Sequence, residues 1–340
     1  MKLTRHENNP IVVPGGAEWR RAAVFNPGVV EADGKYYMYE RAAGSLRPFR
    51  TSIGLLESED GVNFRPVADE PVFTADMLGF PGGSVEDARV VRIDGTYYMC
   101  YALQPYRFDC WPTGTGLPAY YPDNYPEWRE NGVEPMITRS GIAASEDGIR
   151  FTPLCYTTPA EIDDRDNALF PEKIGGRFAL LRRPMQYVGE KYGTNTPGIW
   201  ISYSDDLFEW TEPELVAVAE NPEWEGTKIG AAATPVKTDR GWLVLYHGVD
   251  AHSVYRVGAL LLDLDDPSRV IARIRDPIME PETYYERFGL VLPNVVFPTA
   301  NVMVDGLLYI YYGCCDASIG LATVPLYELL DALTGGEDRA

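Results

Sequence analysis

A turn followed by an aromatic strand recurs five times along the chain, and no other feature constrains the fold as tightly. The copies are DGKYYMYERA from Asp33, DGTYYMCYA from Asp94, GGRFALLRRP from Gly175, DRGWLVLYHG from Asp239 and DGLLYIYYG from Asp305. Their turn glycines, Gly34, Gly95, Gly176, Gly241 and Gly306, are separated by 61, 81, 65 and 65 residues. A second phrase, Ser-x-Asp followed by a turn and an aromatic, falls between them as SEDGVNF from Ser58, SEDGIRF from Ser145 and SDDLFEW from Ser204. Each unit therefore reads as an inner strand, the aromatic hairpin strand and an outer hairpin carrying the Ser-x-Asp turn. Five such units predict an all-β, five-bladed β-propeller, a single domain over residues 1–340. A pair of β-sandwiches would not explain a repeat of this length.

Composition agrees, since 22 Tyr, 12 Phe and 7 Trp beside 32 Gly and 27 Pro is a strand-and-turn inventory. The formal charge of -20 repels polyanions, which argues against nucleic acid and anionic membranes as partners. A small anion can bind only where cations gather. No run approaches the roughly 18 apolar residues of a membrane span. The few, odd-numbered cysteines (Cys100, Cys110, Cys155, Cys314, Cys315) and the polar start of the chain lead to the expectation of a reduced, cytoplasmic compartment. With three His and no Cys-x-x-Cys pair, no metal site is expected; nor does any strand precede a nucleotide-binding fingerprint.

Two segments interrupt the repeat. From about Gln104 to Arg139 an insertion rich in Pro and aromatic residues reads as a lid, a sugar-stacking wall or a subunit contact. Near the end, Pro325 to Leu333 places Leu326, Leu329, Leu330 and Leu333 at helical spacing and predicts a closing helix against the last blade.

In a propeller, residues just before or after the repeated strands converge on a central funnel. That filter selects Asn26, Arg41, Asp87, Arg89, Arg165, Lys173, Arg183, Lys228, His247 and Asp316. Asp87 follows Gly82-Gly83 at the mouth of an apolar strand and is the candidate acid; its plainer alternative is a local salt bridge with Arg89. Arg165, Arg183 and Lys228 stand at edges of successive blades, where guanidinium forks and an ammonium suit a tetrahedral oxyanion. A carboxylate beside several cations, in a chain this acidic, points to a polar substrate next to a small anion.

The series FNPGVV with YERAAG, SVEDARV, NALFPEKIGGRFALLRRP, TKIGAAATPV, GWLVLYHGV, YRVGALLLDLDDPSRVIAR and LPNVVFPTANVMVDGLLYIYYGCCD resembles the mannoside phosphorylases of glycoside hydrolase family 130, over nearly the whole chain. The resemblance implies a five-bladed propeller and inverting phosphorolysis of a β-mannoside to α-mannose 1-phosphate, a reversible glycosyl transfer without metal or organic cofactor and with inorganic phosphate as co-substrate. By it, Asp87 matches the general acid, acting through the substrate's own 3-hydroxyl. Arg165, Arg183 and Lys228 match phosphate-binding cations, with His247 near the phosphate. Asn26, Arg41 and Asp316 match residues around the glycone sugar, and family members are often homo-oligomers. Asn167, Arg182 and Thr299-Ala300-Asn301 depart from the family pattern, which bears on acceptor and linkage. Two rival readings are a β-mannosidase of the same family and a non-catalytic carbohydrate-binding propeller.

Overall fold

The computed structural model describes residues 1–105 and 138–335, and over them the chain forms five antiparallel sheets. Blade one runs outward from the axis through Ala23–Ala32, Lys35–Ala43, Thr51–Ser58 and Arg65–Pro66. Blade two follows with Ser84–Ile93, Thr96–Gln104, Arg139–Ser145 and Thr152–Tyr156, and blade three with Asp164–Leu169, Phe178–Pro184, Ile199–Ser204 and Glu214–Ala217. Blade four uses Lys228–Ala231, Trp242–Val249, Tyr255–Leu262 and Val270–Arg273. Blade five takes Val296–Val304, Leu307–Cys314 and Ser318–Pro325, then borrows Thr4–Arg5 from the start of the chain as its outer strand, which closes the ring. The five-bladed propeller read from the repeats is the observed fold.

Both repeated phrases are turn chemistry. At Asp33-Gly34, Asp94-Gly95 and Asp305-Gly306 both residues have positive φ (54° and 77°, 51° and 86°, 48° and 82°), the backbone of a two-residue hairpin whose twist matches its strands. Gly175-Gly176 does the same at 58° and 85°. In the other phrase, Ser58 Oγ accepts the Gly61 N–H at 3.0 Å, and Asp60 Oδ1 accepts those of Val62 and Asn63 at 2.8 Å. Ser145 with Asp147 and Ser204 with Asp206 repeat this pattern, so these acids stabilise turns.

The two phrases also meet across blades. Tyr39 in blade one donates its hydroxyl to the Gly148 carbonyl of blade two at 2.8 Å, and Tyr311 in blade five donates to Gly61 of blade one at 2.7 Å. Around these contacts the apolar core divides into clusters lying between neighbouring blades. Leu169, Phe178 and Leu180 of blade three meet Val91, Ile93 and Ile142 of blade two, and Val24, Val29 and Met38 of blade one meet Tyr311, Ile319 and Leu321 of blade five. The closing helix spans Leu326–Thr334, one residue later than the spacing predicts, because Pro325 serves as its N-cap. Its four leucines are buried as expected, but they pack between blades four and five and not on the last blade alone. Gln104 and Arg139 are themselves strand residues; the rest of the aromatic insertion, 106–137, lies outside the described residues.

Candidate active site

The chemistry of three blades sits at one recurring irregularity. Pairing of the inner strand slips between Phe25 and Gly28, between Glu86 and Arg89, and between Arg165 and Ala168. Inside these bulges Asn26, Asp87 and Asp166 adopt left-handed backbone at φ 42°, 53° and 56°. Short polar side chains tolerate this conformation at a cost of roughly 1–2 kcal/mol, and a bulge re-aims its side chain, here to line the axis. A cavity of about 410 Å³ opens there. Asn26, Arg41, Asp87, Arg165, Arg183, Lys228, His247 and Asp316 all line it.

One side of the cavity is built around a single arginine. Arg41 donates to Asp87 Oδ1 at 3.0 Å and to Glu86 Oε1 at 2.6 Å, and its guanidinium carbon lies 4.3 Å from the centre of the Phe25 ring. Asn26 donates to the same Asp87 oxygen at 2.8 Å. Asp316, in the turn after the second strand of blade five, completes a group of three carboxylates facing one guanidinium. Burial pushes the Asp316 carboxyl up to about 6, with Arg41 opposing and Asp87 reinforcing the shift. Glu86, buried and held also by Gln104 at 3.0 Å, is pushed up to about 7 by burial, against Arg41 and with Asp87.

A second group of lining residues is cationic. Arg165 is held by both oxygens of Asp163 at 2.8 and 2.9 Å. Arg183 Nε donates to Asp166 Oδ2 at 2.5 Å. Lys228 Nζ sits 5.3 Å from the centre of the Tyr255 ring; burial, then Arg183 and Arg165, bring its ammonium down to about 7. His247 is fully buried, and among the described residues neither ring nitrogen has a hydrogen-bond partner. Burial, together with Arg183, Lys228 and Arg89, drops its imidazole to about 3 against the pull of Asp166, so the ring is neutral. Asp166 is held below the carboxylate range: burial opposes this, but the guanidiniums of Arg183 and Arg89 prevail.

Two residues selected from sequence have other places. Arg89 does not pair with the Asp87 carboxylate. It donates to that residue's carbonyl at 3.2 Å and, across the axis, to the carbonyls of Ala232 at 2.5 Å and Ala231 at 3.3 Å, tying blade two to blade four. Lys173 is exposed over the Phe178 ring and does not line the cavity. The departures Asn167 and Arg182 are engaged locally: Asn167 donates to Thr157 Oγ1 at 2.6 Å, and Arg182 to Asp164 Oδ2 at 2.8 Å. Sequence reasoning missed Glu86, Asp166 and Tyr255. A signal for Asp166 was present, because the inner-strand phrases FNPG, EDAR and RDNA align Asn26, Asp87 and Asp166 at their second position.

A cavity lined by one group of carboxylates and another of cations can hold a neutral polyol between a proton donor and an anion. Comparison with known proteins agrees in family. The family model described as beta-1,4-mannooligosaccharide phosphorylase matches residues 2–120 and 128–335. A 1,2-beta-oligomannan phosphorylase of Thermoanaerobacter sp. (strain X514) is 34% identical over 338 residues, covering 97% of this chain and 99% of the relative. A beta-1,2-mannobiose phosphorylase of the same organism is 36% identical over 335 residues, covering 95% and 97%. The solved beta-1,2-mannobiose phosphorylase from Listeria innocua, in complex with beta-1,2-mannobiose, has the same fold, with a TM-score of 0.78 at 23% identity over 98% of this chain and 100% of that one. With the family model matched over almost its whole length and relatives this similar from end to end, the chain belongs to glycoside hydrolase family 130, the family of the mannooligosaccharide phosphorylases.

Proposed function

We propose that the protein is an inverting β-mannoside phosphorylase, transferring a mannosyl unit to inorganic phosphate and releasing α-mannose 1-phosphate. The observation that carries this reading is the two-signed cavity. Glu86 and Asp316 gather with Asp87 around Arg41, so what favours phosphorolysis is the set of cations beside them: phosphate is already a nucleophile and needs only to be held, whereas water needs a base and no cations. Arg165, Arg183, Lys228 and His247 are the groups that would hold it, and they line the same cavity as Asp87. In this assignment Asp87 protonates the departing oxygen through the 3-hydroxyl of the mannosyl unit. Asn26, Arg41 and Asp316 surround that unit. The cations offset repulsion between the incoming anion and the carboxylates. Phosphate is a substrate here, and no resident cofactor enters the reaction.

Relatives matched over nearly their full length are named for β-1,2 linkages, which supports β-1,2-mannobiose and β-1,2-oligomannosides as the first substrates to try. The test is a panel of β-1,2-, β-1,3- and β-1,4-mannobioses and mannosyl-glucose, each incubated with and without phosphate. Mannose 1-phosphate formed only with phosphate is the expected result. Free mannose in both arms would replace phosphorylase with mannosidase, and no product from any sugar would favour a binding propeller.

A further inference from the structure

Resting on the phosphorylase reading, we propose that His247 accepts a proton from bound phosphate, with Asp166 as the residue that orients it. The argument begins with Gly230. A Cβ at that position would lie 2.1 Å from Asp166 Oδ2, 2.6 Å from His247 Cε1 and 2.7 Å from Arg183 Nε. The absence of a side chain there is what lets carboxylate, imidazole and guanidinium crowd together. His247 is fixed on its other sides by Phe297, with ring centres 4.8 Å apart, and by Tyr255, stacked at 5.7 Å. The imidazole is thus rigid, buried and at the edge of the cavity.

Its Nε2 lies 3.6 Å from Asp166 Oδ2. A carboxylate on that side favours the tautomer with the proton on Nε2, which leaves Nδ1 as an acceptor. Among the described residues neither nitrogen has a hydrogen-bond partner. The charged or titratable groups around the ring are Asp166, Arg183, Lys228, Arg89 and Tyr255. In the empty site burial first, and then the three cations, outweigh the one carboxylate and keep the ring neutral, hence able to accept. An entering phosphate removes the cations' share of that shift and adds its own negative charge beside the ring, so that phosphate and Asp166 together offset the burial that disfavours imidazolium.

The step is balanced. Dihydrogen phosphate gives one proton to Nδ1, becoming hydrogen phosphate, while neutral His247 becomes imidazolium paired with Asp166. The dianion then forms the bond to the anomeric carbon as the bond to the leaving oxygen breaks, and that oxygen takes the proton from Asp87. After the sugar phosphate leaves, the imidazolium gives its proton to solvent and Asp87 recovers one from solvent, which restores the starting state. The device lets either ionic form of phosphate serve as the nucleophile.

The test compares kcat/KM for phosphate in the wild type and His247→Gln from below to above the second ionisation of phosphate. Wild type should vary little. His247→Gln should lose some activity at every pH through the lost phosphate contact, and below that ionisation the loss relative to wild type should grow by about tenfold per pH unit, one proton's worth. A loss equal at every pH overturns the proposal and leaves His247 a packing residue. Asp166→Asn supplies the second reading: it should introduce an acid limb that wild type lacks while phosphate protection against thermal unfolding persists, and a flat ratio to wild type counts against the orienting role. Absence of mannose 1-phosphate from the wild type would instead reject the phosphorylase reading itself.

Discussion

Gly230→Ala is a one-carbon perturbation whose effect can be worked from the structure. The new methyl falls 2.1 Å from Asp166 Oδ2, 2.6 Å from His247 Cε1 and 2.7 Å from Arg183 Nε, all inside van der Waals contact. None of these atoms can retreat freely: Asp166 is fixed by its bulge and by Arg183, and His247 by Phe297 and Tyr255. Overpacking of this kind costs about 1–3 kcal/mol of stability. Displacing the anion-binding groups by about 1 Å costs on the order of 100-fold in rate. The expected outcome is a folded protein, slightly less stable, whose kcat/KM for phosphate falls about 100-fold while affinity for mannoside in the absence of phosphate changes little. Gly95→Ala is the control, since its φ of 86° strains the backbone but no atom of the described residues lies within 4 Å of the added carbon. It should lower the melting temperature by the equivalent of about 1 kcal/mol and leave phosphate kinetics alone. Equal kinetics for Gly230→Ala and wild type would refute the assignment of this wall to phosphate.

Further expectations follow from the same geometry. Asp87→Asn should reduce turnover by about 100-fold or more while mannoside binding, read by calorimetry, survives; undiminished turnover would remove Asp87 as the acid. Glu86 has its carboxyl raised by burial to about 7, so the folded state binds more protons than the unfolded state between the ordinary carboxylate range and that value, and stability falls as pH rises through this window. Glu86→Gln should flatten that part of a melting-temperature profile, and an unchanged slope would contradict the burial argument. Lys228 has the opposite linkage: its folded value near 7 lies below 10.5, so its contribution makes stability rise with pH from about 7 upward, and Lys228→Met should remove that rise together with most phosphate affinity. Arg5→Ala removes two hydrogen bonds, of 2.8 and 2.9 Å, to the buried Glu286 beside the ring-closing strand, and should cost about 3 kcal/mol in denaturant unfolding with little change in kcat.

The fold was legible because its devices are local. Asp-Gly pairs require the hairpin backbone they adopt, Ser-x-Asp turns bond their own neighbours, and the helix leucines repeat every turn. The wall of cations was legible for a different reason, as positively charged residues at blade edges of a strongly acidic chain. Hidden from the sequence were the features created by the ring itself. Arg89 looks like a neighbour's partner and instead spans the axis to Ala231 and Ala232. Asp166 looks like one acid among several until the bulge turns it between Arg183 and His247. Glu86, next to Asp87 along the strand, joins it at Arg41 only because Asp87 occupies the bulge. Such contacts depend on pairing slips that leave no composition signal, and only comparison of equivalent inner strands exposes them.

The most direct test of the two-signed cavity follows one reaction by nuclear magnetic resonance, using the best substrate of the mannoside panel with orthophosphate. The phosphorus signal and the anomeric proton are recorded together from the first turnovers. The account predicts α-mannose 1-phosphate as the first mannosyl product, formed in step with the loss of orthophosphate. Free mannose appearing first, at a rate indifferent to phosphate, or a β-configured sugar phosphate, would contradict it.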